Sequence, residues 1–88
     1  MHLIMPVLEQ RWWVYILRCQ GDVFYTGITT DMARRFKAHQ EGMGARYTRS
    51  HKPVEIWCQF GPYTKNQALR EERRIKKLSH QAKEELRA

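Results

Sequence analysis

What this sequence has little of narrows its class before any motif is read. Only two of its 88 residues are cysteine, Cys19 at the end of one strand-like run and Cys58 inside another. They have no metal-ligand spacing, so no disulfide framework is implied, and both thiols are expected free and reduced in a cytosolic (cytoplasmic) domain. Long apolar runs are missing too. The first eleven residues carry a brief apolar stretch without a basic leader or extended apolar core. Residues 1–11 therefore read as a flexible lead-in, neither signal peptide nor membrane span, and residues 12–88 as one small domain with a limited core. Acidic side chains are the minority, nine against sixteen Lys and Arg, for a formal net charge of +7. That excess points to a polyanionic partner, nucleic acid first. No segment pairs a basic face with a broad apolar one, which disfavours a membrane surface.

The runs Trp12 to Arg18 and Val23 to Ile28 are rich in aromatic and β-branched residues, and Gln20-Gly21-Asp22 between them is turn chemistry. They predict an antiparallel hairpin. With a three-residue loop, Cys19 faces Val23 and Leu17 faces Tyr25, so Tyr15 and Tyr25 share one sheet face. After the N-cap formers Thr29-Thr30-Asp31, Met32 to Glu41 has no Gly or Pro, and Gly42 suits a helix C-terminus. Arg35 and His39 lie four apart on that helix, and Met32 and Phe36 beside them should pack on the sheet. Both tyrosine hydroxyls are then expected in one cleft with the Arg35 guanidinium.

Met43 to Pro53 mixes flexible, basic and aromatic residues as a loop or short helix in which Tyr47 is available to stack on a base. Val54, Ile56, Cys58 and Phe60 alternate with Glu55, Trp57 and Gln59 as a third strand ended by Gly61-Pro62. Thr64-Lys65-Asn66-Gln67 fits a capping box for a helix from about Lys65 to Leu78, and Ser79 caps a closing helix through Leu86. Glu71 and Glu72 border opposite edges of the apolar stripe of Ala68, Leu69, Ile75 and Leu78. Periodicity does not choose between them. The basic residues fall in clusters, among them Arg34 and Lys37, then Arg46, Arg49 and Lys52, then Arg70 and Arg73. These are expected to contact phosphates without reading sequence.

The ordered set of Tyr15, Tyr25-Thr26-Gly27, Arg35 with His39 and a later acidic helix resembles the GIY-YIG nuclease domain. It is most similar to the small stand-alone bacterial YhbQ-like members, over roughly Trp12 to Leu86. The resemblance implies an α/β fold, with a small, mainly antiparallel three-stranded sheet flanked by helices. It also implies a metal-dependent DNA endonuclease in repair, recombination or processing. In that chemistry a tyrosine, Tyr25 or Tyr15, activates the water, Arg35 stabilises the phosphate, and Glu72, chosen over Glu71 by the resemblance, holds one divalent cation. A single carboxylate suits Mg²⁺ or Mn²⁺ better than Zn²⁺.

Three departures from the family pattern stand out. Trp13 replaces the first glycine, Thr26 is the middle residue of the second triplet, and Ile28 stands where some members carry a lysine. His39, which matches the histidine that some members carry four residues after the arginine, is the neighbour expected to favour phenolate. The appended DNA-binding domain of larger relatives is not found in the sequence, so low intrinsic specificity or a protein partner is expected. The alternatives are a non-catalytic nucleic-acid-binding module of the same fold and a basic adaptor protein.

Overall fold

The computed structural model describes residues 11–87; the expected lead-in lies, apart from Arg11, outside the described residues. Strands β1 (Trp12–Cys19), β2 (Val23–Thr29) and β3 (Pro53–Tyr63) form one antiparallel sheet in the order β2-β1-β3. The hairpin register is the expected one: Cys19 opposes Val23, Leu17 opposes Tyr25 and Tyr15 opposes Gly27. Asp22 N–H donates to the Cys19 carbonyl at 3.1 Å to close the turn.

Helix α1 (Met32–Gln40) covers one face of the sheet, with Met32 and Phe36 packed on Tyr15, Leu17 and Cys19. Asp31 caps its start by accepting from Arg34 N–H at 3.1 Å. At its end Gly42 N–H donates to His39 O and Met43 N–H to Ala38 O, the paired bonds of a Schellman motif. A short helix, α2 (Arg46–Ser50), follows. The opposite face is covered by α3 (Lys65–Lys76) and α4 (His80–Glu85). There Ala68 and Ile75, helped by Leu78 and Leu86, pack on Val14 and Ile16. Full burial of an aliphatic side chain such as Ile75 contributes about 1.5–3 kcal/mol. Thr64 and Gln67 form the expected capping box at 3.1 and 2.9 Å, and Ser79 caps α4.

The third strand departs from its sequence pattern in two ways. It does not stop at Gly61-Pro62 but continues to Tyr63, which pairs with Trp12. Proline is tolerated there because β3 is an edge strand, with no neighbour demanding its N–H. Its two faces are also not Val54-Ile56-Cys58-Phe60 against the rest. Ile16 opposes Cys58 while the next residue, Leu17, opposes Ile56, so Trp57 is an extra residue. A bulge of this kind exchanges the faces. Ile56 therefore joins the α1 side, Cys58 and Phe60 join the α3 side, and Val54 stays 48% exposed. Trp57 anchors α4 by donating to the Lys83 carbonyl at 3.1 Å, and the Arg87 guanidinium lies 4.3 Å from its ring centre. Cys19 and Cys58 are both free. Among the described residues no helix is long and apolar enough to cross a membrane.

Candidate active site

Tyr15 stands at the centre of the site because it stands at the centre of the sheet. It is fully buried on β1. Its ring lies across the place where a side chain of Gly27 would be: a Cβ there would stand 2.5 Å from Tyr15 Oη. Only glycine permits the approach. The hydroxyl lies 2.8 Å from His39 Nε2 and accepts from Arg35 Nε at 3.3 Å. On its other side His39 Nδ1 lies 2.8 Å from Thr48 Oγ1. Thr48 in turn donates to the Ala45 carbonyl at 2.9 Å and accepts from Ala45 N–H at 3.3 Å. A Cβ on Gly44 would overlap the imidazole, so a glycine is required here too.

One proton arrangement satisfies every member of this chain. The buried Tyr15 proton needs an acceptor, and His39 Nε2 is the acceptor beside it. His39 then carries its proton on Nδ1 and donates to Thr48, whose own proton goes to Ala45. The result is an ordered line of bonds from α2 through α1 to the Arg35 guanidinium. Burial pushes the Tyr15 phenol up to about 12 against the opposing pull of Arg35, with Tyr25 and Glu72 adding to the rise. Burial, with Arg35 beside it, brings His39 down to about 4. His39 is therefore neutral at pH 7. It is not a polar group rimming the helix, and it supplies no positive charge to a phenolate. Its reach to Thr48 encloses it.

A stability test follows from the direction of that shift. The folded value of about 4 lies below the ordinary 6.5, so the unfolded chain binds more protons between the two. Stability should be full above the ordinary value and fall as pH drops toward the folded one, by about 3 kcal/mol in all. Urea unfolding between neutral pH and pH 5 isolates this contribution, because the Glu55 carboxyl, held low by Arg18 and Arg87, titrates below that window. His39→Gln should flatten the dependence; an equal slope in both proteins would mean that His39 is not buried neutral.

Tyr25 shares the face of Tyr15, with ring centres 6.3 Å apart, and lies 5.2 Å from the His39 ring. It sits on the edge strand, however, and is only half-buried. With Phe24, Thr26, Tyr47, Lys76 and Lys83 it lines an open cleft of about 320 Å³. Arg35 borders a separate depression with Thr29, Arg34 and Ala38. The expected single cleft is thus two recesses, and the Tyr15 hydroxyl is enclosed between protein groups.

Glu71 and Glu72 also separate. Glu71 binds the Arg74 guanidinium through two nitrogens at 3.0 and 2.8 Å. The Glu72 side chain is 17% exposed, meets Lys76 Nζ at 3.3 Å, and its charge reaches Tyr15. Among the described residues no group of three or more His, Cys, Asp and Glu converges to cage a metal. A single carboxylate such as Glu72 is nevertheless the donor set that Mg²⁺ or Mn²⁺ accepts, since these ions keep several waters and take phosphate oxygens as further ligands. Of the expected phosphate contacts, Arg34, Lys37, Arg46, Arg49, Lys52, Arg70 and Arg73 are all exposed, as is Tyr47. Sequence reasoning did not single out Thr48 or Lys83, and it took Thr26 only as the middle residue of the Tyr25-Thr26-Gly27 motif. Thr48 and Lys83 carry no local signal, since each enters the site only through tertiary placement.

A buried tyrosine tied to an arginine, on a β-hairpin crossed by a short helix, defines this domain as one of the GIY-YIG class. A model of the GIY-YIG catalytic domain matches residues 11–85, and the chain belongs to that family. It is similar to UPF0213 proteins. That of Cupriavidus necator is 52% identical over 81% of this chain and 77% of its own; that of Halobacterium salinarum is 44% identical over 83% and 95%. The solution NMR structure of the UPF0213 protein from Bacillus halodurans matches with a TM-score of 0.53 at 42% identity, over 86% of this chain and 81% of that one.

Proposed function

We propose that the chain is a divalent-cation-dependent endonuclease that hydrolyses phosphodiester bonds of DNA, in repair, recombination or processing, within the cytoplasm. The observation that carries this reading is the state of Arg35. Its guanidinium is half-buried, held through Nε by Tyr15, and has no carboxylate partner among the described residues. Such a group offers its terminal nitrogens to phosphate oxygens in a fixed orientation. The half-buried Tyr25 takes the proton of the attacking water, because it borders an open cleft whereas Tyr15 is enclosed and bonded inward. Tyr15, His39 and Thr48 position Arg35. Glu72 would hold the cation, whose charge there would stabilise the departing oxygen. Where Ile28 leaves the place of the family lysine apolar, Lys76 brings an ammonium to the cleft that Tyr25 borders. The exposed arginines and lysines bind the DNA backbone, and a protein partner supplies any further specificity.

The test is incubation of the purified protein with labelled single-stranded, duplex and branched DNA, with Mg²⁺ or Mn²⁺ and with chelator. Cation-dependent cutting is expected. Binding with a steep salt dependence and no cutting would instead make the chain a binding module, and neither would make it an adaptor.

A further inference from the structure

We infer that the cleft between Tyr25 and Tyr47 is a nucleobase slot, which stacks one unpaired base of the bound nucleic acid. The inference deepens the nuclease reading, and rests on it for the neighbouring phosphate.

Four observations converge on the slot. The Tyr25 and Tyr47 rings are stacked nearly parallel, at 20° with centres 6.2 Å apart, and both line the cleft. A base held between two rings needs about twice the roughly 3.4 Å stacking rise of nucleic acid, so Tyr47 must move away from Tyr25 to admit one. Tyr47 is the more exposed of the two rings, 40% exposed on α2. Its outer side is backed by His51, whose ring lies 4.4 Å away at 11°. The remaining walls suit a nucleotide: Phe24 is apolar, and Lys76 and Lys83 bring two ammonium groups. Aromatic faces with cations at the rim make up the platform on which unpaired bases stack irrespective of sequence. Finally, Thr26 lines the same cleft and is 3% exposed, and its Oγ1 is a buried side-chain atom with no hydrogen-bond partner among the described residues.

The slot is tied mechanically to the chemistry. Tyr47 precedes Thr48, which anchors the bonds leading to Arg35, and Tyr25 serves as the other wall. A base seated here sets the backbone beside the Tyr25 hydroxyl. The base can come from a single strand or be extruded from a duplex, since both present the same flat ring.

The experiment measures binding in chelator, where cutting cannot confuse it, by anisotropy of one labelled oligonucleotide, single-stranded and annealed. Tyr47→Ala should weaken affinity about tenfold or more, and Tyr47→Phe should retain it. Thermal melting checks that both variants fold. An effect confined to the single strand assigns the base to that source, and an equal effect on the duplex assigns an extruded base. Parent-like affinity of Tyr47→Ala for both forms overturns the slot. Failure of the nuclease reading is distinguishable: a Tyr47-dependent protein that cuts nothing with Mg²⁺ keeps the slot and loses the enzyme. A cutting enzyme indifferent to Tyr47→Ala does the reverse.

Discussion

Glu72→Gln is expected to lower cation-dependent DNA cleavage by about a hundredfold or more, while Glu71→Gln cuts like the parent. The two carboxylates are neighbours on α3, and the same substitution is nearly isosteric at both, so the pair forms an internal control. Glu71 is already committed to a two-nitrogen pairing with Arg74 on the surface. Glu72 is more enclosed, has the single lysine Lys76 at 3.3 Å, and lies close enough to Tyr15 for its charge to raise that phenol. Loss of the Glu72–Lys76 pair costs stability only about 0.3–0.5 kcal/mol, as helix-surface pairs four residues apart do. A large rate effect would therefore reflect chemistry. Single-turnover rates at saturating Mn²⁺, with DNA affinity measured separately in chelator, separate the two contributions. If both variants cut at the parental rate, Glu72 holds no cation.

The parts of this fold written locally were legible. Period-two alternation around a Gly-Asp turn sets the Leu17–Tyr25 register, and Thr64 with Gln67 announces α3, because each signal involves residues within a few positions of one another. What failed to show was decided at long range. The Trp57 bulge depends on how β3 lies against β1, and an alternating sequence gives no sign of it. His39 reads as a polar residue at a helix edge, yet Thr48 and Tyr15 take both its ring nitrogens and enclose it. The same holds for the two tyrosines. Sequence places them on one face, but only the strand order β2-β1-β3 makes Tyr15 central and buried and Tyr25 marginal and accessible.

That difference in position yields the second large effect. Tyr25→Phe should reduce cleavage by about a hundredfold to ten-thousandfold, the range typical for losing a general base. Fold, DNA affinity in chelator and stacking of the ring should all persist. Tyr15→Phe should behave differently. It strands His39 Nε2 and Arg35 Nε, which the hydroxyl now joins, at a cost of about 1–3 kcal/mol for buried polar groups left unpaired. Its rate should also fall, because Arg35 loses the bond that orients it toward phosphate. The pH–rate profile discriminates between the two roles. Tyr15→Phe should keep the shape of the parent profile at a lower plateau, since the group that takes the proton is intact, whereas Tyr25→Phe should change that shape. Should Tyr25→Phe cut with the parental profile while Tyr15→Phe alters its shape, the proton acceptor is the buried tyrosine, and its enclosure must open when DNA binds.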